Sequence, residues 1–268
     1  KKETNELHAS ETKRPQNHQA FTVCFAMDYQ EGIDNTIDKP TDYDRWKNYV
    51  PKLNPAWSGK LLDLSYSNPR DLKPKRLGFD PRGMDTPGML NLFNYRRLIH
   101  KDNFTPGFYD GDITIVNWPQ NDYMMGNLID VSEAEFKKTV EDAKNQSRSL
   151  FYWLQTEAPR ADGGMGWKGL RLRGDVMGTV DGMAKYPYIR ESRRIKAQFT
   201  VLEEHVGAEN RKLVAGEKEG KKAFQFFDSV GVGYYHIDLH PSNQGDNYID
   251  FGSLPFQIPL GALLPQRV

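Results

Sequence analysis

The stretch VSEAEFKKTVEDAKNQSRSLFYWLQT, residues 131–156, predicts a long amphipathic helix. Ser132 and Glu135 have the spacing of a capping box, in which each side chain satisfies an open backbone N–H of the first turn. Apolar or small side chains then recur at helical spacing, at Phe136, Val140, Ala143, Ser147, Leu150, Phe151 and Leu154. We predict a helix over about 133–156 that ends before Pro159, because a helix rarely continues up to a proline.

Five segments predict strands or extended chain. The β-branched and aromatic run FTVCFAM (21–27) indicates a buried strand, and GDITIVNW (111–118) indicates a second. Apolar and polar residues alternate in IKAQFTVL (195–202), which is typical of a half-buried strand. GYYHIDLH (233–240) predicts another strand, and LPFQIPLGALL (254–264) predicts an extended segment interrupted by proline.

Two shorter helical segments and a loop-rich region complete the pattern. YDRWKNY (43–49) predicts a helical turn, and MLNLFNYRRLIH (89–100) predicts a short helix. Residues 28–88 are rich in Pro, Gly, Asp and Asn, which are turn-forming residues. We expect 1–20 to be a polar lead-in segment and 21–268 to form a single domain. The order of elements favours an α+β fold with a mixed or mainly antiparallel sheet over a doubly wound one.

The charge balance argues against a polyanionic partner. The 36 basic and 36 acidic residues cancel, and the mean hydropathy is −0.72. A neutral chain offers no electrostatic reason to bind nucleic acid or an anionic membrane. Cys24 is the single cysteine, so no disulfide forms within the chain, and its apolar neighbours predict a buried small side chain.

Gly164, Gly166 and Gly169 spell the G-x-G-x-x-G pattern of dinucleotide-binding loops. That function needs a strand before the glycines and a helix after them, so that backbone amides meet the pyrophosphate. Here a predicted helix end and a turn precede them, and the sequence that follows does not read as a helix. Trp167 and Lys168 also place bulk where the backbone would approach phosphate. We therefore expect no nucleotide at this loop.

His236, Asp238 and His240 fall on one face of the predicted strand 233–240, because side chains alternate along a strand. Such residues could form part of a zinc or iron site, and a metal-dependent hydrolase is one alternative function. The simpler interpretation is a polar face turned to water or to a cleft. No further cluster of His or Cys in the sequence completes a metal site, so we predict none.

Arg190, Arg193 and Arg194 form a dense basic cluster just before the predicted strand 195–202. The planar guanidinium suits bidentate capture of a carboxylate or a phosphate. Charge runs more often form a solvated surface. Arg193, however, continues the apolar face that Ile195 begins, and a buried arginine needs an anionic partner.

Tryptophans such as Trp46, Trp57 and Trp118 suggest a second alternative, a stand-alone carbohydrate-binding module. Aromatic rings stack against sugars when a repeat or a stripe presents them together. No repeat or stripe organises the tryptophans of this sequence, so we expect most of them to be core or loop anchors.

The runs GLRLRGDVMGTVDGMAKYPYIRESRRIKAQFTVLEEHVG (169–207) and FFDSVGVGYYHIDLHPSNQGDNYIDFGSLPFQIPLGALLPQRV (226–268) resemble the central segment of the bacterial FAD-dependent oxidoreductases. The strings RESRRI, IDLH and QIP…LLP occur in the order and spacing of that family. FTVCFAMDY (21–29) and NWPQNDY (117–123) resemble the same family, so the likeness touches most of the chain.

The resemblance implies that the chain is a substrate-side piece of a larger flavoenzyme. Members of the family open with a Rossmann unit that carries a glycine-rich phosphate loop, and they close with a second flavin-contacting segment. The sequence begins after the first of these and ends where the second would start. The implied partners are a small-molecule substrate and the Rossmann portion, with FAD bound in the complete protein. The chain alone is then expected to be inactive, to expose an apolar patch and to self-associate.

The implied reaction is hydride transfer between an organic substrate and the flavin, with the protein orienting the substrate and stabilising charge. The resemblance assigns substrate or cofactor binding to Arg190, Arg193, Arg194 and Asp238. It assigns catalysis to His240, with His236 as a second candidate for proton transfer, and to Arg193.

Overall fold

The computed structural model of the chain describes residue 7, residues 10–191 and residues 195–267. The chain divides into two compact units. The larger unit comprises residues 20–68 and 72–190, and the smaller unit comprises residues 1–19, 69–71 and 191–268. The expectation of a single domain over 21–268 stays a prediction.

The larger unit combines short strands with one long helix. Its strands are β1 (Phe21–Thr22), β2 (Phe25–Tyr29), β3 (Ser65–Ser67), β4 (Pro74–Arg76), β5 (Arg97–Ile99), β6 (Ile113–Val116), β7 (Asp122–Tyr123) and β8 (Leu170–Leu172). Its helices are α1 (Tyr43–Asn48), α2 (Leu92–Tyr95), α3 (Glu133–Thr156) and α4 (Gly174–Met177).

A four-stranded antiparallel sheet in the order β5–β6–β2–β8 forms the centre of the larger unit. Strand β2 is its most buried member, since Phe25, Ala26 and Met27 have no measurable exposure. Two-stranded pairs, β1 with β7 and β3 with β4, flank the sheet. Every strand ladder within the described residues is antiparallel, which confirms the predicted α+β class with a mainly antiparallel sheet.

Helix α3 begins and ends where the sequence predicts. The Ser132 hydroxyl accepts a hydrogen bond from the Glu135 N–H at 3.2 Å, which is the N-cap bond expected of the capping box. Leu150, Phe151 and Leu154 pack against the core, and the Phe151 ring meets the Phe25 ring of β2 edge to face at 5.7 Å. Phe136 is an exception, because its side chain is 37% exposed.

Polar side chains on the buried face of α3 bond directly to the backbone of the larger unit. The Gln146 amide donates to the carbonyls of Gln120 and Asp122, and the Ser147 hydroxyl donates to that of Val23 at 2.7 Å. Gln146 and Ser147 are fully buried. Buried carbonyls without partners cost free energy, so these bonds fix the position of the helix on the sheet.

Gln155 lies near the end of α3 and forms three bonds to the backbone. Its amide nitrogen donates to the carbonyls of Asn35 at 2.7 Å and Leu170 at 2.9 Å. Its amide oxygen accepts from the Ile37 N–H at 3.0 Å. One fully buried side chain thus connects the helix, strand β8 and the loop that follows β2.

Two predictions for the larger unit need correction. The single strand expected over 21–27 is interrupted at Val23 and Cys24, so that β1 pairs with β7 while β2 enters the central sheet. The helix predicted over 89–100 is wrong, because α2 has a single turn and the chain continues as β5. The edge of β6 gives this segment a hydrogen-bonding partner, which outweighs its local helix propensity.

The smaller unit contains helices α5 (Glu203–Val206) and α6 (Ala208–Glu219) and strands β9 (Ser229–Gly233), β10 (Ile237–Leu239), β11 (Ile249–Phe251) and β12 (Phe256–Pro259). Strand β9 pairs with β12, and β10 pairs with β11, both antiparallel. The predicted strand 233–240 is thus confirmed over its second half, and the extended segment 254–264 is confirmed over β12. Within the described residues, no helix of either unit has the length and apolar composition needed to cross a membrane.

The strand predicted over 195–202 is wrong. The segment pairs with residues 264–266 over a single bridge, between Ala197 and Pro265. Two backbone bonds accompany the bridge, from the Gln198 N–H to the Leu264 carbonyl and from the Gln266 N–H to the Lys196 carbonyl. Ile195 is 56% exposed, and Phe199 packs against an aromatic cluster rather than a sheet face. Alternation predicts a strand only where pairing with a neighbour continues along the segment, and here it stops after one bridge.

We expect Gln155→Leu to lower the free energy of unfolding by about 3 kcal/mol, because two carbonyls and one N–H lose buried partners. Urea denaturation followed by circular dichroism measures the change. Lys138→Leu is the matched control, since it places leucine on the exposed face of the same helix and is expected to change stability by less than about 0.5 kcal/mol. A loss for Gln155→Leu no larger than that of the control would contradict the prediction.

Candidate functional site

The hairpin of β10 and β11 carries the His/Asp face of the smaller unit. Its register places Ile237 opposite Phe251, Asp238 opposite Asp250, and Leu239 opposite Ile249. Residues directly opposite each other in an antiparallel pair share a face. His236, Asp238, His240 and Asp250 therefore lie on one face of the hairpin.

The first histidine of this face has a short contact to a carboxylate. His236 Nδ1 lies 2.7 Å from Asp250 Oδ1. The side chain of Asp250 is 6% exposed and that of His236 is 28% exposed. The carboxylate is thus almost removed from solvent, while the imidazole keeps an accessible side.

The second histidine has a longer contact to a carboxylate. His240 Nε2 lies 3.8 Å from Asp238 Oδ2, which is an ion-pair distance and too long for a hydrogen bond. The His240 ring packs against Tyr248 with 5.2 Å between ring centres. Its backbone N–H donates to Gln19 Oε1 at 2.9 Å, which fastens the end of β10.

The loop between β10 and β11 is held by Asp246. Its carboxylate accepts two bonds from the Arg14 guanidinium, at 3.1 and 2.9 Å, and further bonds from Asn17 and Ser242. Burial alone would raise the pKa of Asp246, but these hydrogen bonds and the charge of Arg14 outweigh it and lower the pKa. Arg14 and Asn17 of the polar lead-in segment therefore hold the loop that connects β10 and β11.

A metal site at the hairpin is not supported by the described geometry. Within residues 7, 10–191 and 195–267, no group of three or more His, Cys, Asp or Glu side chains is arranged to hold a metal ion. The histidines instead face the carboxylates Asp238 and Asp250.

Arg190 belongs to the larger unit and is engaged with protein groups there. Its guanidinium lies 3.2 Å from Asp122 Oδ1 and donates to the Ala20 carbonyl at 2.9 Å. The Asp122 carboxylate also accepts from the Thr22 hydroxyl at 2.6 Å. Both charged side chains are buried, at 8% and 0% exposure, so the ion pair joins the strands at this end of the unit.

The structure brings together some of the predicted site residues. His236, Asp238 and His240 share the hairpin face, whereas Arg190 lies in the other unit. Arg193 and Arg194 lie outside the described residues. Sequence reasoning missed Asp250, although the string NYIDF (247–251) repeats the Ile-Asp alternation of IDLH after a turn-rich loop, which is a hairpin signal.

The tryptophans proposed for sugar stacking are buried. Trp46 is fully buried, and Trp57 and Trp118 are 6% and 2% exposed. Trp153 and Trp167, the remaining two of the five, are 7% and 2% exposed. Their rings fill the core of the larger unit, as the sequence predicts, and leave no exposed indole face for a carbohydrate.

The glycine-rich loop 164–169 packs against its own unit. A Cβ at Gly166 would collide with the Gln155 carbonyl, and a Cβ at Gly169 would collide with that of Gln30. Trp167 between them is buried. Gly166 and Gly169 are needed because protein backbone fills the space beside them, so packing explains two of the three glycines of the pattern without a nucleotide.

The fold and the site define a chain of the α+β class that carries a histidine–carboxylate face on a strand pair. The family model described as FAD dependent oxidoreductase matches residues 6–268. The chain therefore belongs to the FAD-dependent oxidoreductase family. Searches of the curated proteins and of the solved structures gave no significant match.

The family implies FAD as its cofactor, but the glycine loop does not fit the FAD pyrophosphate. Backbone of the same unit occupies the space beside Gly166 and Gly169. The short helix α4 that follows β8 has four residues and a left-handed Gly178 at its end, so it does not continue the loop as a dinucleotide-binding helix. We therefore assign no role in binding the FAD pyrophosphate to the glycine loop 164–169.

Cys24 lies near the ion pair of Asp122 and Arg190. Burial raises the pKa of its thiol from 9.0 to about 11, and the negative charge of Asp122 acts in the same direction, while Arg190 opposes it. The reactive species of a cysteine is the thiolate. A thiol with this pKa is unreactive at neutral pH. The side chain is half-buried, whereas the sequence predicts a buried one.

We expect Cys24 in the folded chain to react with iodoacetamide roughly 100-fold more slowly at pH 8 than in the chain unfolded in urea, because a pKa near 11 reduces the thiolate fraction. The rate should rise about tenfold per pH unit up to pH 11. Mass spectrometry of time points measures it without ambiguity, because the chain has one cysteine. Equal rates in the folded and unfolded chain would refute the assignment.

Proposed function

We propose that this chain forms the substrate-side portion of an FAD-dependent oxidoreductase that transfers hydride between a small organic substrate and the flavin. Membership in the family supports the reaction type. The observation that carries the substrate-side assignment is the hairpin face, where two imidazoles lie beside two carboxylates. Imidazole and carboxylate side chains are common general acids and bases in enzymes, and flavin chemistry on a C–H bond needs the protein to transfer a proton.

In this proposal the histidines move the proton and Asp238 binds the substrate. Hydride loss from carbon makes a neighbouring O–H or N–H more acidic, and a base within hydrogen-bond reach takes that proton. His236 and His240 are the candidates because both are partly exposed on one face. Asp238, also partly exposed, can accept a hydrogen bond from a substrate hydroxyl or amine.

The arginines have separate roles in the proposal. The charge of Arg190 is balanced by the buried carboxylate of Asp122, which supports an anchoring role within the larger unit rather than direct capture of a second anion. We assign recognition of an anionic substrate or cofactor group, and stabilisation of developing negative charge, to Arg193 and Arg194.

The flavin is held mainly by the Rossmann portion of the complete protein, so the chain alone is inactive in this proposal. Strand β9 supports a docking role, because Val230 and Val232 are 54% and 84% exposed and Phe227 beside them is fully exposed. Exposed apolar side chains of this kind mark surfaces that other protein covers. We expect the isolated chain to self-associate through them, which sedimentation velocity measures.

The deciding experiment compares the visible absorption of the complete natural gene product with that of the 268-residue chain. Both are purified without added cofactor and then mixed with FAD. We expect the complete product to be yellow, with the two flavin bands, and the isolated chain to be colourless and unable to retain FAD on a desalting column.

Each outcome of the absorption experiment has a definite meaning. A colourless complete product that takes up no FAD would remove the oxidoreductase proposal. A yellow isolated chain would remove the division of labour with a Rossmann portion. A flavoprotein that holds FAD tightly and serum albumin serve as positive and negative controls for retention.

Replacing either histidine should slow flavin reduction in the complete protein. We expect His236→Ala and His240→Ala to reduce the anaerobic rate by about 10²- to 10⁴-fold, the range of general acid–base catalysis. A panel of alcohols, amines and 2-hydroxy acids first identifies a reducing substrate by bleaching of the flavin. His100→Ala, in the larger unit, is the control that should keep the original rate. Unchanged kinetics in both variants would remove the histidines from the site.

A further inference from the structure

The two histidines of the hairpin face are not equivalent. Both belong to the strand segment HIDLH, and both have an aspartate nearby. His236 Nδ1 contacts Asp250 at 2.7 Å, whereas the contact of His240 to Asp238 is made by Nε2 at 3.8 Å. His236 is therefore held by a short contact at Nδ1, whereas the contact of His240 to its aspartate is longer and is made by the other ring nitrogen.

The contact between His236 and Asp250 determines which ring nitrogen carries the proton. An ionised carboxylate accepts hydrogen bonds and donates none, so Nδ1 must be the donor at 2.7 Å. Neutral His236 is then protonated on Nδ1 and has its lone pair on Nε2. Since Asp250 is 6% exposed, its charge acts through little solvent and holds this tautomer firmly.

The hairpin register explains why Asp250 turns towards His236. Asp238 and Asp250 are directly opposite each other across the two strands. Like charges in that position repel, and each carboxylate lowers the repulsion by moving towards an imidazole. Asp250 reaches His236 at one end of the face, and Asp238 lies towards His240 at the other.

The opposite edge of His236 is accessible to a ligand. The side chain is 28% exposed, and its ring lies against Tyr235 with 4.4 Å between ring centres. Tyr235 is 66% exposed, so it covers one flank of the imidazole without enclosing it. A small substrate can approach Nε2 while Nδ1 stays bonded to the buried carboxylate.

We infer that Asp250 is a positioning residue that holds His236 in the Nδ1–H form and presents Nε2 as the proton acceptor of the site. The inference rests on the proposed function for its substrate and goes beyond it in ranking His236 above His240. It also selects the substrate group, an O–H or N–H that donates its proton to Nε2.

Nitrogen-15 NMR of the imidazole groups in the 268-residue chain tests the positioning directly. Long-range proton–nitrogen spectra above pH 8 distinguish the two tautomers of each histidine. We expect His236 to be the Nδ1–H tautomer, and Asp250→Val to convert it to the Nε2–H tautomer. Asp238→Asn is the matched control, and it should leave the tautomer of His236 unchanged. Asp250→Asn replaces the valine variant if that variant unfolds, and it should weaken the preference.

The rate of flavin reduction in the complete protein tests whether the positioning of His236 by Asp250 matters for the reaction. Asp250→Val and Asp250→Asn should slow flavin reduction by about 10²-fold, and Asp250→Glu should recover part of the loss. Glu217→Gln, on the exposed face of α6, is the control for a lost carboxylate charge. An Nε2–H tautomer for His236 in the unmodified chain would overturn the inference.

The proposed function and the role of Asp250 would be contradicted by different results. If the complete protein binds no flavin, the proposed function fails whatever the tautomer of His236. If flavin is bound and reduced but Asp250→Val keeps the full rate with an altered tautomer, the proposed function survives and the role of Asp250 is refuted. A slower rate together with the altered tautomer supports both.

Discussion

The larger unit depends on hydrogen bonds from one helix to the backbone it covers. Gln146, Ser147 and Gln155 of α3 are fully buried and bond to carbonyls of the surrounding strands and loops, among them Val23 between β1 and β2. Strands of two to five residues cannot satisfy their own backbone by pairing, so long polar side chains must complete the network. Burial of the apolar side chains of Leu150 and Phe151 further stabilises the helix on the sheet.

In the smaller unit, polar side chains likewise hold the hairpin of β10 and β11 in place. Its register places Asp238 opposite Asp250, and each of these carboxylates has an imidazole nearby. Asp246 holds the turn through Arg14, and Gln19 holds the end of β10. Segments distant in sequence thus fix the geometry on which proton transfer would depend.

Capping residues and hydrophobic periodicity predicted the helix α3 well, but the sequence predicted poorly which segments pair as strands. The bounds of α3 follow from its cap and its periodicity, which are properties of the segment itself. The predictions over 89–100 and 195–202 were limited by the neighbouring chain. Strand β6 pairs with the end of the first segment, so its helix has a single turn, and the second segment pairs with residues 264–266 over one bridge only. For the same reason His236, Asp238 and His240 could be placed on one face, while Asp250 required knowledge of the register.

The electrostatics of the hairpin face limit what it can bind. Asp238 and Asp250 place two negative charges close together, so an anionic group entering there would meet repulsion unless both histidines were protonated. In the proposed function, the part of a substrate that faces the hairpin is therefore neutral or cationic. A hydroxyl or an amine meets that condition and is also the kind of group whose proton an imidazole can accept.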